Sequence, residues 1–231
     1  MHEPHDEQIV RSWHRNVQPW TRAVRDGEIA SRVAVTNGAV VSVLRELRPA
    51  RLLDVGCGEG WLCRAVAESG TACVGVDVVP ALVEAAQAAH PIGGGTGTYH
   101  VADYDAIADG ALQAAGLTSF DVIVSNFALI GEQPVTRLLR ALPSLLAPGG
   151  HVVIQTLHPV EASAGTPYQD GWRAGSWAGF AADFTDPAPW YFRTLSSWVS
   201  LLAESGLQLR ALHEPVHPQS GRPASLLLVA R

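Results

Sequence analysis

Apolar positions along the chain follow two regimes that change near residue 50. Before it they recur at helical spacing. Residues 7–17 are weakly periodic and 21–34 more clearly so, while in 36–47 a stripe of Val40, Val41, Val43, Leu44 and Leu47 marks one buried face. Pro49 closes this leader. After it, short runs that are apolar throughout predict strands at 52–55, 72–78, 98–102, 120–125 and 151–156. Helical stretches at 62–68, 80–89 and 135–146 separate them, the last bent at Pro143. Residues 93–97 read as a flexible link, and Pro148, Gly149 and Gly150 as the turn into the fifth strand. Strands without polar alternation, joined by helices, predict an α/β fold with a parallel sheet covered on both faces.

Two features break the rhythm. Residues 160–193 form a long insertion expected to be irregular, rich in Gly, Pro, Ala and aromatics. A helix at 194–205, ended by Gly206, then leads to two last strands at 207–213 and 225–230. The link between these strands is too short for a crossover helix, so they are expected to be antiparallel neighbours.

Composition narrows the class. The 231 residues are 47% hydrophobic and 16% charged, enough for a large core and too apolar for a disordered chain. A formal charge of −6 argues against nucleic acid and against anionic membrane as partners. No run is long enough to span a bilayer, and the polar first residues carry no apolar core of a signal peptide. The three cysteines, Cys57, Cys63 and Cys73, lack CxxC spacing and read as reduced thiols, with no metal site expected. The expected location is the cytoplasm.

The chemistry concentrates at residues 51–60, RLLDVGCGEG. An apolar run ends in Gly56, Gly58 and Gly60, and a helix follows at once. Such a turn lets a ligand approach the main chain, and the helix start offers it free N–H groups. A dinucleotide fingerprint needs a further glycine where Trp61 stands, and a phosphate-cradling loop needs a lysine followed by a hydroxyl residue. Neither is present, and Glu59 stands in the loop where a pyrophosphate would want a cation.

The run Asp54-Val-Gly56-Cys57-Gly58-Glu-Gly60 resembles motif I of class I S-adenosylmethionine-dependent methyltransferases, a resemblance that continues over residues 50–159 and 194–231. It extends to the bacterial branch that includes quinone-biosynthesis methyltransferases. The resemblance implies a Rossmann-like seven-stranded sheet, mostly parallel with an antiparallel last strand and helices on both faces. It implies S-adenosylmethionine as cofactor and S-adenosylhomocysteine as product. Asp77, with Val78 beside it, matches the acidic residue that holds the ribose hydroxyls; a carboxylate can accept both. Asp103 and Tyr104 match the adenine-contacting position, and Asn126 with Phe127 the end of the fourth strand. The Asn-Pro-Pro-Tyr signature of base and amide N-methylation is missing, because Asn126 is followed by Phe-Ala-Leu. O-, N- and C-methylation of a small molecule stay open.

One domain is expected: a leader (1–49), a cofactor core (50–159), an aromatic lid (160–193) and a closing helix and strand pair (194–231). His158, just past the fifth strand, is the expected general base, since strand carboxyl ends gather active groups in such sheets. His213 and His217 read as surface residues. Nine of the sixteen aromatic residues fall in 168–198. They predict an apolar or planar acceptor held by stacking, with Trp172, Trp177, Trp190 and Tyr191, together with Trp20 of the leader, as binding candidates. Arg25 is a further covering candidate. A cofactor binder without turnover and a nicotinamide oxidoreductase are the rival readings, and the oligomeric state stays open.

Overall fold

The computed structural model describes residues 5–90, 97–181 and 183–231; most of the link expected at 93–97 lies outside them. Two helices, α1 (His5–Arg15) and α2 (Val17–Arg25), precede a π-helical turn, Arg32–Thr36, which runs directly into α3 (Asn37–Leu47). The helix expected over 21–34 is therefore broken. Gly27 takes φ +69°, a left-handed conformation that no helix propagates, and the chain re-enters helix only at Ala30.

The sheet alternates as expected. In chain order come β1 (Arg51–Val55), α4 (Trp61–Ala67), β2 (Ala72–Asp77), α5 (Pro80–Ala89) and β3 (Gly97–Val101). Two short helices not foreseen, α6 (Tyr104–Ala108) and α7 (Ala111–Ala114), lead to β4 (Phe120–Asn126). α8 (Gln133–Ala141) ends earlier than expected, since Pro143 falls in a 3₁₀ turn, Leu142–Leu145. The next strand, β5 (Leu146–Thr156), starts before the Pro-Gly-Gly step instead of after it. Its pairing with β4 jumps from Phe120↔Leu146 to Val122↔His151, so 147–150 bulge out, with Gly149 at φ +84°.

The insertion is less irregular than expected. It contains α9 (Pro159–Ala162) and an antiparallel ribbon of β6 (Gly171–Arg173) and β7 (Trp190–Phe192). α10 (Leu195–Glu204) follows, with the Thr194 side chain accepting from the Ser197 N–H as its N-cap. The chain closes with β8 (Leu209–His213) and β9 (Leu226–Ala230).

The seven strands run β3-β2-β1-β4-β5-β9-β8, with only β9 antiparallel to its neighbours. Alternate residues of each central strand face opposite cores. Leu53, Val55, Ile123 and Ile154 pack with α8 and α10 through Leu138, Leu139 and Leu202. Leu52, Val122, Val124 and Val153 pack with α3, α4 and α5 through Leu44, Leu62 and Val83. Burial on both faces is why these runs show no polar alternation. Sequence order reverses between β1 and β4, and a crevice opens there at the carboxyl ends of the strands.

Candidate active site

From β1 the chain turns through three left-handed glycines, Gly56, Gly58 and Gly60, at φ +78°, +54° and +82°. The turn is pinned to β2, because the Gly56 and Cys57 N–H groups both donate to the Val76 carbonyl at 2.8 and 3.0 Å. A side chain at Gly56 is excluded as well as strained, and one at Gly58 is strained. A Cβ on Gly56 would lie 2.3 Å from the Ala128 Cβ, and one on Gly58 would meet the Trp20 indole nitrogen at 3.4 Å. Asp77, at the tip of β2, accepts from the Gly58 N–H through one oxygen and the Val79 N–H through the other, each at 2.9 Å. Burial raises its pKa against these hydrogen bonds.

A cavity of about 420 Å³ opens over this turn. Gly56, Gly58, Asp77, Val78, Asp103, Tyr104, Asn126 and Phe127 all line it, as does Trp20. Asp103 caps α6 by accepting from the Ala106 N–H at 2.6 Å, and the Tyr104 hydroxyl donates to the Ala128 carbonyl at 3.0 Å. Asn126 Oδ1 is buried with no hydrogen-bond partner among the described residues. Five carboxylates reach the wall, from Asp6, Glu7, Asp77, Asp103 and Asp105, and no described Arg or His does. A wall of that charge suits a cation carrying hydroxyl and amino donors. It is hostile to a pyrophosphate, which removes the nicotinamide reading.

Three expected ligand-holding residues stand behind this wall instead of on it. Asp54 is buried beside α4, where the Cys63 thiol meets it at 3.7 Å, and burial pushes its pKa up to about 7. Cys57 is buried, its thiol pKa raised by burial, and Gly60 packs against Ala86 and Tyr99. Asp54, Cys57 and Gly60 shape the turn without lining the cavity. Glu59 is also not on the wall; it is buried in ion pairs with Arg25 at 2.9 Å and Arg64 at 2.7 Å, which makes Arg25 a structural partner. Rejection of a polyanion comes from other acids.

A second cavity, about 490 Å³, adjoins the first and shares Trp13, Trp20, Phe127 and Ile130 with it. Trp177, Trp190 and Tyr191 of the insertion line it, as expected of an aromatic lid. Trp172 does not; it stacks on His5 at 4.5 Å and donates to Glu132 at 3.0 Å. His158 also stands off the walls. Thr156, Leu157 and Pro159 reach the second cavity, but His158 lines neither one; its Nε2 pairs with Glu214 at 2.7 Å and its ring is buried. His213 and His217 also line neither cavity.

Both covers were only partly legible. Ile9, Val10 and Trp13 of α1 line the first cavity, and their spacing along one helix face was the available sign. Arg32 and Arg193, both on the second cavity, had no local signature. Arg193 donates to the Gly131 and Glu132 carbonyls at 2.8 and 2.9 Å and lies 4.8 Å from the Tyr191 ring.

Comparison with known proteins agrees with this geometry. The family described as a methyltransferase domain matches residues 30–212. A ubiquinone biosynthesis O-methyltransferase from Xanthomonas euvesicatoria is 35% identical over 123 residues, 53% of this chain and 49% of that protein. The chain thus spans about half the length of the curated relatives it matches. A crystal structure of an S-adenosylmethionine-dependent methyltransferase from Mesorhizobium loti is 27% identical with a TM-score of 0.60, covering 82% of this chain and 96% of that one. Magnesium protoporphyrin IX methyltransferase from Synechocystis with bound S-adenosylhomocysteine is 17% identical and shares the fold, with a TM-score of 0.67 over 97% of this chain and 98% of that one.

Proposed function

This chain belongs to the methyltransferase-domain family, and from that premise we propose that it transfers a methyl group from S-adenosylmethionine to a small planar acceptor. The observation that carries the reading is the acidic wall over the glycine turn, which no described Arg or His reaches. When bound, the cofactor supplies an electrophilic methyl group on a sulfonium. Asp77, oriented by two backbone N–H groups, keeps lone pairs for a diol, and Asn126 Oδ1 offers a buried acceptor to an amino group. The carboxylates favour the cationic cofactor over its product, which has lost the sulfonium charge.

The adjoining aromatic chamber is the place for the acceptor. Trp13, Trp20 and Phe127 stand between the two spaces, so groups on either side meet with water displaced by rings. A relative that carries O-methyltransferase in its name supports oxygen as the atom methylated. In this reading one domain does the work. Residues 50–159 hold the cofactor, 1–49 and 160–193 cover it, and 194–231 complete the sheet. Three free, buried cysteines support a reducing compartment, the cytoplasm, and the net charge of −6 supports a small-molecule partner over nucleic acid. No helix among the described residues is long and apolar enough to cross a membrane.

Calorimetry with S-adenosylmethionine, followed by labelled methyl transfer to a panel of phenols, quinols and amines, tests this. We expect micromolar-range binding that Asp77→Ala weakens at least about tenfold, the loss of one charge-assisted contact. Unchanged binding in that variant would sink the cofactor site. Binding without transfer to any acceptor would favour a non-catalytic binder.

A further inference from the structure

The second cavity carries a charge as well as rings. Arg32 lines it and is 7% exposed. The Arg32 guanidinium lies over the Trp61 ring at 4.7 Å and near the Trp20 ring at 5.6 Å, and Nε donates to Asn37 at 3.1 Å. Its Nη2 is buried with no hydrogen-bond partner among the described residues. Burial lowers its pKa to about 10, against the fields of Glu59 and Asp54, so it stays a cation at neutral pH.

A buried cation without an ion pair is costly, and an anionic group brought to it would offset that cost. Among the described residues Arg32 forms no ion pair, since Glu59 is already held by Arg25 and Arg64. Arg193, the other cation on this wall, has both terminal nitrogens engaged by backbone carbonyls. No described carboxylate or histidine lines the chamber. The π-helical turn explains the placement, because Arg32 opens that turn at the point where the leader bends from α2 toward α3.

Resting on the methyltransferase reading, we propose that Arg32 is a specificity residue that selects a planar aromatic acceptor bearing an anionic oxygen, a ring carboxylate or a phenolate. Rings of the chamber take the flat face, and the guanidinium fork takes the oxygen. A phenolate held this way arrives already ionised, which suits a chamber whose described wall offers no base.

The test uses the full chain saturated with S-adenosylhomocysteine, so that no turnover occurs, with 2-naphthoate and the neutral isostere 2-naphthamide as probes. Calorimetry should show the carboxylate binding at least about tenfold tighter, the range of a charge-assisted contact. Arg32→Met, which keeps an unbranched apolar stem, should bring the two affinities within about twofold, and Arg32→Lys should restore part of the preference. Equal binding of both probes by the wild type, binding of neither, or a preference that survives in Arg32→Met would overturn the proposal. The wild-type comparison decides even where Arg32→Met does not fold. Failure of the wild type to bind S-adenosylhomocysteine would instead strike the cofactor reading beneath it.

Discussion

Asn16 and Thr185 exchange two hydrogen bonds: the Asn16 amide donates to the Thr185 carbonyl at 2.7 Å and accepts from its N–H at 2.9 Å. The side-chain amide thus acts as one rung of a sheet between the leader and the insertion. Ser12 and Arg15 extend the contact, the first to the Asp186 carbonyl at 2.5 Å, the second to its carboxylate at 3.0 Å. The two covers of the site are therefore clasped together, although each also packs on the core.

Asn16 is fully buried, so Asn16→Ala leaves the Thr185 N–H without its partner, while the Thr185 carbonyl keeps the Trp177 indole N–H at 2.9 Å. The cost should be on the order of 1–3 kcal/mol, felt locally. We expect amides of 183–186 to lose hydrogen-exchange protection while those of β1 and β4 keep theirs, and turnover to fall more than cofactor affinity. Unchanged protection at 183–186 would show that the aromatic contacts, Trp13 with Trp177 at 5.8 Å among them, hold the clasp alone.

Asp54 gives a pH dependence of known sign. Burial raises its folded pKa to about 7, from 3.8 in the unfolded chain. Between those values the folded state holds a proton that the unfolded state has released, so apo stability falls as pH rises from about 4 to about 7 and is lowest above it. Asp54→Asn removes the ionisation and keeps an acceptor for the Cys63 thiol. Thermal unfolding of apo protein across pH 5–8 should therefore slope downward in the wild type and less steeply in the variant, where the raised Asp77 still contributes, with the variant more stable at pH 8. Parallel curves would place the titration elsewhere.

The parts of this site that were legible in the sequence are those encoded within a few residues. Gly56, Gly58 and Asp77 follow from strand ends and a turn that admits no side chain, and the antiparallel β9 follows from a link too short for a crossover. Asp54 and Cys57 belong to the same motif, yet strand parity turns Asp54 inward to Cys63, and no local pattern tells a lining residue from one behind the wall. Arg32 and the α1 face were hidden for another reason: they reach the site only through tertiary packing of a leader whose helix break, at Gly27, was missed. Parity acts at His158 as well, where Leu157 and Pro159 face the chamber and the residue between them does not.

His158 should prove structural. Its Nε2 is bound to Glu214, a residue beyond β8 and away from both cavities. His158→Gln is expected to lower stability by about 1 kcal/mol, the loss of a partly buried hydrogen bond, and to leave kcat within about threefold of the wild type. A loss of kcat of a hundredfold or more, with the fold intact, would restore it as a base.

Phe127 is where backbone and chemistry meet. It follows β4 at the point where sequence order reverses, takes a left-handed φ of 56°, and is held there by its N–H donating to the Gln155 carbonyl at 2.7 Å. For a bulky residue that conformation costs about 1–2 kcal/mol, and such strain collects where geometry matters more than stability. Phe127 lines both cavities, so under the proposed function it would set the gap between a bound methyl donor and an acceptor. Two substitutions separate the roles. Phe127→Asn suits the left-handed backbone and removes the ring, so folding should persist while kcat falls at least about tenfold, as expected for lost positioning. Phe127→Leu keeps the strain and most of the bulk, and kcat should fall only a few-fold. Cofactor affinity, measured beside kcat, should change by less than about threefold in each. Wild-type kcat in Phe127→Asn would mean that the partition between the two spaces is set by Trp13 and Trp20 instead.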